Sequence, residues 1–232
     1  SKNAFGTLVI DYEIEKFLKD IIKPIIKVSK VNFKDSNIVI ILDDNPNAVT
    51  DQFNRIIVTT GLITFSNRPE EILGVLAHEV GHIKANHIDK RISVIEKNKA
   101  ISNLATLLSL SASIITDNPD YILSSSIAYE EMFKNRFSNY SKDQEREADI
   151  LALEYLEKNQ ITSMGLINLL KRLILSYENI GIKEDDINIY THPYKRERIN
   201  KILDFQKKSK FNNFYFSNSI NLRFKFIKAK IN

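Results

Sequence analysis

His78-Glu79-Val80-Gly81-His82 lies inside an apolar helical pattern, and this placement restricts the chain more than any other feature. Ile72, Leu73, Val75, Leu76, Val80 and Ile83 recur at helical spacing, so the segment folds as a mostly buried helix that carries two imidazoles and a carboxylate inward. Upstream, Asn67 supplies a capping residue, Pro69 an early helical proline, and Glu70 and Glu71 two acids suited to the positive end of the helix dipole. Buried polar groups need partners. Residues four apart lie one turn above each other on one helix face, so His78 and His82 can share an ion while Glu79 reaches a water beside it. A metal with its water satisfies all three groups at once; a purely structural role needs separate hydrogen bonds for each.

HExxH strings also arise by chance, so the third ligand decides the matter. The chain has 4 histidines, and His87 fails the simplest test. An extended HExxHxxGxxH motif requires glycine where Ala85 stands and histidine where Ile88 stands. With Arg91 one turn on, His87 reads instead as a hydrogen-bond donor at the helix end. Glu145 is the better candidate, because Ser141-Lys142-Asp143-Gln144 has the pattern of a capping box and puts Glu145 in the first turns of a new helix. Asp149 follows one turn later, placed to accept a hydrogen bond from the free ring nitrogen of a ligand histidine. Ala148 and Ala152 leave room for the two helices to approach. Acids at such spacing usually mark a solvated helix face; the neighbouring HExxH pattern reverses that preference. Cysteine is absent, so the donors are nitrogen and oxygen, a set that suits zinc. Glu79 then reads as the general base that activates water.

HExxH followed by Glu-x-x-Ala-Asp in SKDQEREADILALEYL resembles the HtpX and CAAX-prenyl-protease family of zinc metallopeptidases, closest in character to its soluble periplasmic BepA-like members. RIIVTTGLITFSNRPEEILGVLAHEVGHIKANH is similar to the family's strand, turn and active-site helix, and THPYKRERINKIL to its His-Pro-x-x-x-x-Arg-Ile segment. The resemblance runs from about Asn37 to Leu203. It implies one zinc ion per chain on His78, His82 and Glu145, Glu79 as the residue that activates water, and Asp149 behind the ligands. It also implies that His192 lies near the metal, as a resting-state ligand or a contact to the reacting carbonyl, with Arg198 close by. The implied activity is endopeptidase cleavage of unfolded or misassembled polypeptides in envelope quality control, with a periplasmic or membrane-associated location. Where relatives often carry a glycine pair before the active-site helix, this chain has Asn47 to Asn54, a departure that bears on substrate preference because an extended peptide adds at that strand edge.

The expected fold is α+β and predominantly helical, zincin-like, with a small antiparallel sheet beside the active-site helix. Its 232 residues, 43% hydrophobic and 27% charged, suit a single domain at 1–232 that is able to bury a core. Helical repeats in relatives, together with a C-terminal end on a helical pattern, leave open a longer parent chain. An amphipathic helix is expected from about Asp11 to Val28, bent or shortened by Pro24, and Ser163 caps a further helix through Tyr177. Asn37–Leu42 and Arg55–Thr59 read as partner strands joined through the turn-rich DDNPN. Gly181 to Tyr190 reads as a polar connection. The uncharged stretch from Ala100 to Thr116 is too short and polar for a membrane span, and reads as a helix under the site or a lid beside it. Tyr129, Tyr140, Tyr190 and Tyr194 are candidate carbonyl contacts. The chain begins at Ser1 without an apolar signal sequence, as in a processed or recombinantly expressed protein. The net charge of +4 is concentrated near the C-terminus among apolar residues, which favours amphipathic helices, allows a membrane-surface association and sets nucleic acid aside. A second class of function stays open: a zinc-stabilised, proteolytically latent binding or chaperone module whose fourth metal position is closed by His192.

Overall fold

In the computed structural model, α1 (Tyr12–Ser29) begins where Asp11 accepts hydrogen bonds from the backbone of Glu13 and Ile14. The structure describes residues 7–34, 37–51, 53–90, 93, 97, 141–182, 188–189, 192–193 and 196–231. The expectations for Ala100–Thr116, Arg91 and all four candidate tyrosines fall outside these residues. Pro24 does not shorten α1, which continues through it to a left-handed cap at Lys30. The helix buries Phe17, Leu18, Ile21, Ile22 and Ile25 along one face.

Four strands form a mixed sheet in the order β1-β2-β4-β3: β1 (Thr7–Val9), β2 (Ile38–Leu42), β3 (Ala48–Thr50) and β4 (Ile56–Thr59). The two expected strands do pair, but in parallel, with Ile38 opposite Ile56 and Ile41 opposite Thr59. Their antiparallel partners are β1 and β3 respectively, so the expectation of a wholly antiparallel sheet is corrected here. The cause lies in the DDNPN segment, which passes over the end of β4 into β3. Thr59 Oγ1 donates to Asn45 O at 2.7 Å and accepts from Asn47 N at 2.9 Å, while Thr60 Oγ1 accepts from Asp43 N at 3.1 Å. A side chain at Gly61 would meet Asp44 O at 2.3 Å, so only glycine lets this loop sit so low.

The chain then forms α2 (Thr60–Phe65) and α3 (Pro69–Lys84). Arg68, not Asn67, occupies the cap of α3 and makes no side-chain cap bond. Glu71 reaches back to accept from Asn67 N at 2.8 Å, and Arg172 holds the same carboxylate at 2.6 and 2.9 Å. Nearly every residue of α3 is buried, because α1, β3 and three later helices surround it. Those are α4 (Lys142–Lys158), α5 (Met164–Asn179) and α7 (Asn218–Ile231); α6 (Arg196–Lys208) covers α4 and α5 from outside. Ser141 and Gln144 form the expected capping box of α4. Ser163 stands at the cap of α5 without capping it, its Oγ donating instead to Gln206 Oε1 at 2.7 Å. The basic C-terminal residues turn partly inward: Lys228 Nζ donates to Ser66 O at 2.6 Å, and Lys230 pairs with Asp11 and Glu13. No described helix is long and apolar enough to cross a membrane.

α3 and α4 pack backbone to backbone. A Cβ at Gly81 would stand 2.6 Å from Ala148 O and 3.0 Å from its Cα. Gly81→Ala gains about 1 kcal/mol of helix propensity but pushes on backbone that cannot yield, an overpacking cost of about 1–3 kcal/mol. Urea unfolding of this variant should show a net loss of stability; equal or greater stability would mean that the helices can separate freely.

Candidate metal centre

The close approach of α3 and α4 gathers the polar residues of the core. His78 and His82 project from α3 and Glu145 from the first turn of α4. His192 enters from β6 (His192–Pro193), which pairs with β5 (Asn188–Ile189) in the segment expected to be a plain connection. These four buried residues each offer a donor atom, all within 4.8 Å of one another. His78 Nε2 and His82 Nε2 are 3.0 Å apart, and Glu145 oxygens lie 3.5 Å from the first and 3.4 Å from the second. Tetrahedral zinc with bonds of about 2.0–2.2 Å places its ligand atoms roughly 3.3–3.6 Å apart. The donor set and its spacing therefore fit such an ion with little adjustment.

His192 Nδ1 lies 2.7 Å from Glu145 Oε1 and 3.4 Å from His78 Nε2, on the remaining side of the cluster. Its Nε2 is 3.3 Å from Glu79 Oε1. Glu79 is 1% exposed, and its Oε2 has no hydrogen-bond partner among the described residues. Behind the cluster, Asp149 Oδ1 approaches His78 Nδ1 to 2.9 Å, close but off the ideal N–H line. Arg198 donates to both Asp149 oxygens at 2.8 Å and stands 2.6 Å from Glu145 Oε2. The guanidinium thus clamps the carboxylates of α4 together.

Thus the structure brings together every site residue expected from the sequence and its resemblance. Beside them stand His87, expected only as a hydrogen-bond donor at the helix end, and Glu147, which the sequence did not single out. His87 is buried with Nδ1 2.9 Å from His82 Nδ1, and its Nε2 lies 3.1 Å from Glu147 Oε2. An unbroken helix would have pointed His87 elsewhere. Asn86, with φ of 53°, ends the run and turns the chain back, and helix resumes at residues 87–90. An asparagine just past the last apolar residue was the available signal.

Electrostatics separate the roles. Burial opposes protonation of His78, but Asp149 and Glu145 outweigh it and raise its pKa to about 9. Burial alone dominates at His82, whose pKa falls well below the ordinary value, and likewise lowers that of His87. Burial raises Glu79, leaving it a stronger base than an exposed carboxylate. For Glu145 burial is overcome by His192 and Arg198, and its pKa lies well below the usual range. Asp149 is likewise brought down to about 2, chiefly by Arg198 and His78 acting against burial.

Two histidines one turn apart, a carboxylate from a second helix and a buried glutamate beside the first histidine form a donor set that could hold a metal ion. The model of peptidase family M48 matches residues 14–206, a span that contains all of them, and the chain belongs to that family. The fold accordingly is the α+β, mainly helical, zincin-like protease fold. No individual curated protein matches the chain significantly.

The His78 and Asp149 pair has a definite pH signature in the zinc-free protein. A histidine raised to about 9 stabilises the fold fully below its ordinary value of 6.5 and loses that contribution as pH rises through 9. An aspartate lowered to about 2 contributes above its ordinary 3.8 and loses that contribution as pH falls toward 2. Thermal unfolding of zinc-free protein should show stability falling as pH rises from 6.5 through 9, while on the acid side the loss at Asp149 adds to that from His82 and His87, whose lowered pKa values already cost stability below 6.5. Zinc on His78 should remove the alkaline fall; the same alkaline slope with and without zinc would contradict a shared site.

Proposed function

We propose that the chain is a zinc endopeptidase acting on unfolded or misassembled polypeptides. The observation that carries this reading is the buried Glu79 carboxylate beside the convergent His78, His82 and Glu145 donors. A zinc ion on those three residues would supply a Lewis acid that polarises the scissile carbonyl and makes water easier to deprotonate. Glu79 takes the proton as the water oxygen bonds to the carbonyl carbon. It returns that proton to the amide nitrogen as the carbon–nitrogen bond breaks, leaving a carboxylic acid and an amine. Burial raises the pKa of Glu79, which makes it a stronger base for the first step than an exposed carboxylate. Because Arg198 is engaged with Asp149 and Glu145, the donor to the developing oxyanion is assigned to His192, and Arg198 to holding the carboxylates. An extended substrate would add along β3, the sheet edge beside α3. The substrate class, a role in envelope quality control, a periplasmic or membrane-associated setting and BepA-like character rest on the family resemblance.

A second reading has its own support. With Nδ1 2.7 Å from Glu145, His192 stands where it can complete the ligand set and close the centre, as in a latent binding or chaperone module.

Cleavage of an unfolded protein by the zinc-loaded chain should fall about a hundredfold or more in Glu79→Gln, with zinc content unchanged. Activity kept by this variant would remove Glu79 from the mechanism. His192→Ala separates the two readings: increased cleavage marks His192 as a block, and decreased cleavage marks it as a working donor.

A further inference from the structure

The two histidines of α3 turn their outer ring nitrogens toward different supports. His78 Nδ1 meets a carboxylate directly, Asp149 at 2.9 Å. His82 Nδ1 meets another imidazole, His87 Nδ1 at 2.9 Å, and the far nitrogen of His87 lies 3.1 Å from Glu147 Oε2. Two neutral imidazole nitrogens in contact must divide the roles, one bearing the proton and the other a lone pair. Glu147 settles the division, because an ionised carboxylate only accepts. His87 therefore carries its proton on Nε2 and offers a lone pair at Nδ1. His82 must then carry its proton on Nδ1, which leaves the lone pair on Nε2. That is the atom 3.0 Å from His78 Nε2 and 3.4 Å from Glu145 Oε1.

We infer that His87 and Glu147 are positioning residues that fix the tautomer and ring orientation of His82 for metal binding. This rests on the metal-site reading above and extends it to residues outside the ligand set. The local structure is built for it. His82 and His87 are fully buried, and the left-handed Asn86 turn exists between them. Glu147 lies two residues beyond Glu145, at the rim of α4, with its side chain 54% exposed. From there it reaches His87 while Glu145 faces the centre. Each histidine of the HExxH motif is thus backed by a carboxylate of α4, one directly and one through a ring.

The test is zinc affinity, measured by chelator competition on the full chain. His87→Phe keeps the ring volume but removes the acceptor, and should raise the zinc Kd about ten- to a hundredfold, the usual effect of losing such a support. His87→Gln, which can still accept and donate, should recover most of the loss. A Phe variant that binds zinc as tightly as wild type would overturn the role of His87, whereas failure of the wild type to bind zinc would overturn the metal-site reading itself. Imidazole nitrogen NMR of the zinc-free wild type needs no variant to fold. It should find His82 protonated at Nδ1 and His87 at Nε2; the opposite order would overturn the inference.

Discussion

The site depends on how closely α3 and α4 approach at Gly81 and Ala148. Glycine on one helix and alanine on the other bring backbone against backbone. That distance lets a carboxylate from the first turn of α4 reach imidazoles on α3, with donor atoms 3.4 to 3.5 Å apart. Larger residues in the interface would widen the gap and leave Glu145 facing a void. Packing in the apolar core and geometry at the polar centre are therefore one constraint, with α1, α5 and α7 holding α3 in place around it.

Such a concentration of buried charge requires compensation. Glu79, Glu145 and Asp149 lie together in a water-poor interior, where unpaired carboxylates are costly. Arg198 meets two of them, and His78 shares Asp149. Among the described residues Glu79 has the weakest support, an imidazole 3.3 Å away, and of these three carboxylates it is the one whose pKa rises. Pairing thus favours the ionised forms of Glu145 and Asp149, as the proposed ligand and its support require, and leaves Glu79, the proposed base, the one most ready to take a proton.

Much of this was legible in the sequence because it is local. The HExxH helix, the Ser141 and Gln144 capping box and the alanines of α4 are set by periodicity and by residues within one or two turns. What escaped depends on chain reversals. The parallel pairing of β2 with β4 follows from hydrogen bonds between Thr59, Thr60 and a loop more than ten residues earlier in the chain. His87 reads as a hydrogen-bond donor at the helix end, and its contact with His82 arises only because the Asn86 turn breaks the helix. The details at Pro24 and Ser163 also depend on tertiary contacts, although α1 and α5 begin where the sequence places them. Tertiary packing carries α1 through its proline, and Gln206 draws the Ser163 hydroxyl away from the helix end.

X-ray absorption at the zinc edge tests the central claim, that side chains from two helices form one metal centre, most directly. In the loaded protein a four-coordinate shell of nitrogen and oxygen at about 2.0–2.1 Å is expected, with outer-shell scattering from at least two imidazoles. A shell without imidazole scattering, or one of oxygens alone, would place the metal elsewhere and contradict the account.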